Sequence, residues 1–107
     1  KPELSAQTFE NPRILDDAGV KIALTTDHPV IPVQYLPLCA ALAVKNGMKR
    51  DHALRAITIN AAEILGIDDR TGSLEIGKDA DMVLSTFDPL SLDSVISAVF
   101  IDGKRVK

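Results

Sequence analysis

The chain has 107 residues, 46% of them hydrophobic, and its 12 Lys and Arg against 15 Asp and Glu give a formal charge of −3, a composition that excludes a disordered chain and fits a soluble globular one. The cations are dispersed without a basic block, so no nucleic-acid or anionic-membrane partner is expected, and no apolar run nears the roughly 20 residues that span a bilayer. One cysteine gives no disulfide framework, and the opening Lys1-Pro2-Glu3-Leu4 has neither the basic nor the apolar stretch of a secretory leader, so a cytoplasmic location is expected.

The lack of an initiator Met suggests a segment of something longer. The first element is a short helix in Asn11-Pro12-Arg13-Ile14-Leu15-Asp16-Asp17-Ala18-Gly19, with Asn11 as N-cap, Pro at the first helical position, apolar Ile14, Leu15 and Ala18, and a closing Gly. Val20-Lys21-Ile22-Ala23-Leu24-Thr25-Thr26 follows, apolar except at Lys21 until its closing threonines. It reads as a strand buried on both faces of a parallel sheet. Such a strand needs parallel neighbours and covering helices, which implies an α/β architecture, and one strand alone leaves it incomplete.

Beyond Pro29 and Pro32, Leu36, Leu38, Cys39, Leu42 and Ala43 recur at helical spacing up to Lys45, and Asn46-Gly47 supplies the stop. Within that apolar stretch Cys39 reads as a buried small hydrophobe rather than a nucleophile or ligand. Another helix is expected from Arg50 to Ile57, with Ala53, Leu54 and Ile57 on one face and His52 solvated beside Asp51. Asn60 then resembles an N-cap, with Glu63 completing a capping box, Ile59 and Ile64 a hydrophobic staple, and Gly66 the end.

From Gly72 the periodicity changes to two, predicting strands around Leu74 and Ile76, around Met82 to Leu84, and from Val95 to Ile101. Asp102-Gly103 between Ile101 and Lys104 is a hairpin turn signal. The chain therefore divides into an α/β piece over residues 1–70 and a β piece over residues 71–107.

Thr25-Thr26-Asp27-His28-Pro29 lies where the predicted strand ends, the place where α/β folds and barrels put their chemistry. Asp27 is the foremost candidate for a functional residue, although an Asp after a strand also serves simply to cap a helix or turn a loop. His28 is weaker, because neighbours on an extended chain point in opposite directions and do not ligate one ion together. Gly72-Ser73-Leu74-Glu75-Ile76-Gly77-Lys78 matches the G-x4-G-K half of a phosphate loop. However, Asp79 stands where a Ser or Thr is needed, and no helix follows to receive a phosphate. Gly77-Lys78-Asp79-Ala80-Asp81 is better read as a turn.

Two stretches resemble the amidohydrolase superfamily, in particular its imidazolonepropionase-like branch. Gly19-Val20-Lys21-Ile22-Ala23-Leu24-Thr25-Thr26-Asp27-His28-Pro29 resembles the eighth strand of that family's barrel with its terminal metal-binding Asp. Ala56-Ile57-Thr58-Ile59-Asn60-Ala61-Ala62-Glu63-Ile64-Leu65-Gly66, continued by Thr71 to Val83, is similar to the helix after the barrel and the re-entry into a β-sandwich, and Val99 to Val106 to its last hairpin. The resemblance implies a partial (β/α)8 TIM-barrel segment over residues 1–70 joined to the C-terminal strands of a β-sandwich over residues 71–107.

It further implies a divalent metal ion, Zn or Fe, in the full-length enzyme, with Asp27 as both metal ligand and proton-transferring catalytic residue. The H-x-H and the later ligands of the family lie outside this chain. The full enzyme is thus expected to hydrolyse C–N bonds of a small-molecule amide or cyclic amide. The chain alone is expected to be inactive, to hold no metal tightly, and to self-associate as a homo-oligomer. The competing expectation is a non-catalytic structural or oligomerisation module in which Asp27 only caps a loop.

Overall fold

A computed structural model describes residues 9–107; the N-terminal stretch read above for a leader, and the first eight residues of the 1–70 piece, lie outside them. Helix α1 (Asn11–Asp17) is followed by a 3-10 turn (Val33–Tyr35), then α2 (Leu36–Lys45), α3 (Arg50–Ala56) and α4 (Ile59–Leu65). Three strands, β1 (Met82–Ser85), β2 (Ile96–Ile101) and β3 (Lys104–Arg105), form one antiparallel sheet in the order β1-β2-β3. The chain thus mixes helices and strands, in the two stretches where the periodicity changes.

The helices meet through small residues. Ala40 and Ala43 of α2, Ala53 and Ala56 of α3, and Met48 between them form the buried cluster, with Ile22, Leu24, Val44, Ile57 and Leu90 packed against it. A methyl group on each facing turn lets the helix backbones approach closely and still fill the space between them.

Residues 20–26 form no ladder among the described residues, so the strand pairing expected there has no partner. The backbone groups are satisfied by helices instead: the Leu24 amide donates to the Ala56 carbonyl at 3.0 Å and Asn60 Nδ2 donates to the Ile22 carbonyl at 3.2 Å. Ile22 and Leu24 face the alanine cluster and Thr26 is buried, whereas Lys21, Ala23 and Thr25 are exposed. The segment is therefore covered on one side, not both, because the helices described lie on one side only.

Four further expectations are corrected. Asn60 does not cap α4: the helix starts at Ile59 after Thr58, with no side-chain cap bond, and the Asn60 amide is spent on Ile22. Nor does Glu63 close a capping box, since it accepts a hydrogen bond from Lys21 Nζ at 2.6 Å. Asn11 is inside α1, not before it, and Glu10 stands at the cap position. Leu74 and Ile76 form no strand; the chain is irregular there and turns at Ile76-Gly77.

That corner is held by its charged residues. Lys78 Nζ donates to Ser73 Oγ at 2.7 Å, Arg70 Nη2 to Asp79 Oδ2 at 3.0 Å, and Thr71 Oγ1 to Asp81 Oδ2 at 3.1 Å. The lysine of the phosphate-loop-like run is thus engaged in fixing a turn. The same Asp81 accepts the Asp102 amide at 2.8 Å, tying the final hairpin to the start of β1. In that hairpin Ile101 pairs with Lys104, and Asp102 and Gly103 have φ of 52° and 77°, the positive values that a type I′ turn requires. Gly72, with φ of 102°, lies so close to α4 that an added Cβ would fall 2.7 Å from the Ala62 Cβ.

Large apolar side chains remain uncovered, among them Val30, Leu65, Leu74, Ile76 and Leu92. Among the described residues no helix is long and apolar enough to cross a membrane.

Candidate functional site

Asp27 ends the segment that Ile22 and Leu24 anchor to the core. Its φ of 53° is in the left-handed region, which Asp tolerates better than most residues and which turns the chain sharply out of its extended course. The turn is built from the bonds of three backbone amides. The Asp27 amide donates to Thr25 Oγ1 at 3.2 Å, the Val30 amide to the Asp27 carbonyl at 2.9 Å and the Ile31 amide to the Thr26 carbonyl at 3.3 Å. The Asp27 side chain is exposed, and no hydrogen bond or ion pair engages its carboxylate among the described residues.

His28 is also exposed, and the peptide bond to Pro29 is cis. Its ring is not loose: the Val33 amide donates to His28 Nδ1 at 3.1 Å, closing the loop onto the 3-10 turn. The alternation argued from an extended chain does not govern this pair, because Asp27 leaves the extended region. Beside the loop's root, Leu24, Thr25, Cys39 and Leu42 line an apolar cleft of about 180 Å³ together with Phe9 and Pro12. Cys39 is half-buried on its wall, less enclosed than its apolar surroundings in sequence imply.

The other end of the segment has a different character. Asp16, Lys21, His52, Arg55 and Asn60 line a polar cleft of about 330 Å³. There His52 Nδ1 lies 2.7 Å from Asp16 Oδ2, joining α3 to α1. His52 is therefore half-buried and partnered, not simply solvated beside Asp51; the residues are 36 apart in sequence, and nothing local signals the pairing. Lys21 pairs with Glu63, whose carboxyl it holds below the ordinary carboxylate range. A second cross-link, from Arg50 Nε to Asp88 Oδ2, lowers the Asp88 carboxyl to about 2, with the Leu90 amide as the next cause.

Among the described residues no group of three His, Cys, Asp or Glu side chains comes together to hold a metal ion. The chemistry of Asp27 nevertheless fits one ligand of such a site. It presents a hard oxygen donor, accessible and engaged by nothing else among the described residues, on an anchored turn.

The family model described as the amidohydrolase family matches residues 3–106. An imidazolonepropionase of Thermoplasma volcanium is 38% identical over 86 residues, covering 77% of this chain and 21% of that protein. One from Geobacillus kaustophilus is 48% identical over 75 residues, covering 67% of this chain and 18% of that protein. The crystal structure of an amidohydrolase from Thermotoga maritima matches with a TM-score of 0.96 at 45% identity, covering 100% of this chain and 28% of that one. The chain spans about a fifth of the length of these curated relatives.

Proposed function

The chain belongs to the amidohydrolase family, and on that footing we propose that the whole protein is a metal-dependent hydrolase of C–N bonds in small amide-like molecules. In this reading residues 1–70 are the last strand and following helices of a (β/α)8 barrel. Residues 71–107 are the closing strands of a small β-sandwich. The observation that carries the reading is the Asp27 carboxylate, exposed and engaged by nothing among the described residues at the C-terminal end of an anchored segment, where barrel enzymes place catalytic groups.

Asp27 would hold a divalent ion, Zn or Fe, together with ligands supplied from elsewhere in the protein. Such an ion, when bound, polarises a water and stabilises negative charge on a carbonyl oxygen. The carboxylate of Asp27 then accepts the proton that the attacking water releases, and the resulting acid returns it to the leaving nitrogen. An exposed carboxylate suits both transfers, since it reaches the water in one protonation state and the nitrogen in the other. The residues around it do the positioning: Thr25 and Val30 fix the turn, and Ile22 and Leu24 fix its root.

The likeness to imidazolonepropionases favours a cyclic amide, and imidazolonepropionate and hydantoin are suitable first substrates. The uncovered apolar residues support the expectation that the chain by itself would associate with other copies, and one carboxylate falls short of the roughly three protein ligands that a catalytic ion needs. The test is Asp27→Asn in the whole protein, followed by steady-state hydrolysis of both substrates and elemental analysis. Loss of turnover with a diminished metal content is expected, and near-normal turnover would overturn the assignment.

A further inference from the structure

The loop that carries Asp27 holds a second polar side chain in a defined state. His28 Nδ1 accepts the Val33 amide at 3.1 Å, so that nitrogen presents a lone pair. The ring proton then belongs to Nε2, on the far side of the imidazole. Among the described residues nothing engages Nε2, and the side chain is exposed. A hydrogen bond that fixes one ring nitrogen and leaves the other without a partner is how a protein orients an imidazole as a donor.

The donor is carried on a fastened loop. The turn from Asp27 to Ile31 is closed by the Val30-to-Asp27 and Ile31-to-Thr26 backbone bonds, and the His28 ring adds a third tie to Val33. The loop is therefore fastened on both sides of Asp27, and His28 is the next residue of the same turn. The partner chemistry is set by the donor: a ring N–H recognises an oxygen acceptor.

Resting on the reading of Asp27 as the site's proton-transferring carboxylate, we propose that His28 binds the substrate, donating Nε2–H to a carbonyl or carboxylate oxygen of the molecule whose C–N bond lies at Asp27. This makes His28 a residue that selects substrates bearing an oxygen acceptor beside the scissile bond.

Two measurements on the whole protein test it. With ring-15N-labelled histidine, the His28 resonances, assigned by their loss in His28→Asn, should show Nδ1 unprotonated and Nε2 protonated, and the Nε2–H signal should shift saturably on titration with acetamide. A proton on Nδ1, or no response to acetamide, would overturn the proposal without any need for turnover. Kinetically, His28→Asn keeps an oxygen that can accept the Val33 amide but has nothing reaching the place of Nε2. On whichever of imidazolonepropionate and hydantoin the wild type hydrolyses, it should raise KM roughly tenfold, with kcat within about twofold and metal content unchanged. An unchanged KM would show that the ring serves the loop alone. Failure of the Asp27 reading is separable, because it would appear as retained turnover in Asp27→Asn whatever His28 does.

Discussion

The segment from Val20 to Thr26 opens onto two kinds of polar surface. At its start, polar side chains are matched: Lys21 meets Glu63, Asp16 meets His52, and Asn60 is spent on a backbone carbonyl. At its end, Asp27 stands exposed with its carboxylate unengaged among the described residues, although its backbone is held by two hydrogen bonds. Where side chains satisfy each other they fasten helices; where the backbone is satisfied and the side chain is not, the protein has fixed a group without using it. The contrast separates structural polarity from chemical polarity without reference to any motif.

The strongest way to break this contrast is at Asp27. Asp27→Asn in the whole protein should reduce kcat by about a thousandfold or more while thermal unfolding of the metal-stripped protein moves little, because no side-chain partner of Asp27 among the described residues is lost. A large fall in melting temperature would place Asp27 among the structural charges. The next largest effect is expected against α4, which supplies Glu63 and Asn60 to the matched end. Gly72→Val combines a positive φ with a clash against Ala62, so it should cost roughly 2–4 kcal/mol in denaturant unfolding. Stability equal to wild type would mean that α4 and the corner at Gly72 are not in contact.

Gly103→Val lies far from both ends in the hairpin and meets no crowding, the nearest heavy atom to an added Cβ being 3.9 Å away. It isolates the φ penalty, roughly 1–3 kcal/mol, and an unchanged melting temperature would contradict the turn. His52→Ala should cost about 1 kcal/mol in denaturant unfolding, the usual net worth of one hydrogen bond, and stability equal to wild type would show that the contact with Asp16 does not fasten α3 to α1.

The smallest effect concerns acid. Asp88 titrates at about 2 in the folded protein against an ordinary 3.8, so the folded state favours its charged form. The contribution is fully present above about pH 4 and is lost as pH falls through 2. Urea midpoints measured from pH 5 to pH 2 should fall less steeply in Asp88→Asn than in wild type.

How far the sequence reveals these features follows from the range of the signal. The 10-residue helix from Leu36 to Lys45 and the hairpin at Asp102-Gly103 were readable because spacing and turn chemistry are local. Asn60 and Glu63 carried an equally good local signal, a capping box, and tertiary partners at Ile22 and Lys21 overrode it. The strand reading of residues 20–26 assumed two covered faces, and only the side bearing Ile22 and Leu24 is covered. The Asp16–His52 pair links residues 36 apart and leaves no trace in either neighbourhood. Asp27 was legible by position, but the left-handed backbone that displays it was not.

Six of the seven buried apolar residues among those described are alanines. Alanine has no side-chain rotamers to freeze, so the contact between α2 and α3 forms without the rotational entropy loss that leucine or methionine would bring. Its tolerance is correspondingly one-sided. A position such as Ala53 has no larger side chain to lose, and any added carbon must push two backbones apart, so variation at this contact is bounded from above by a single methyl group.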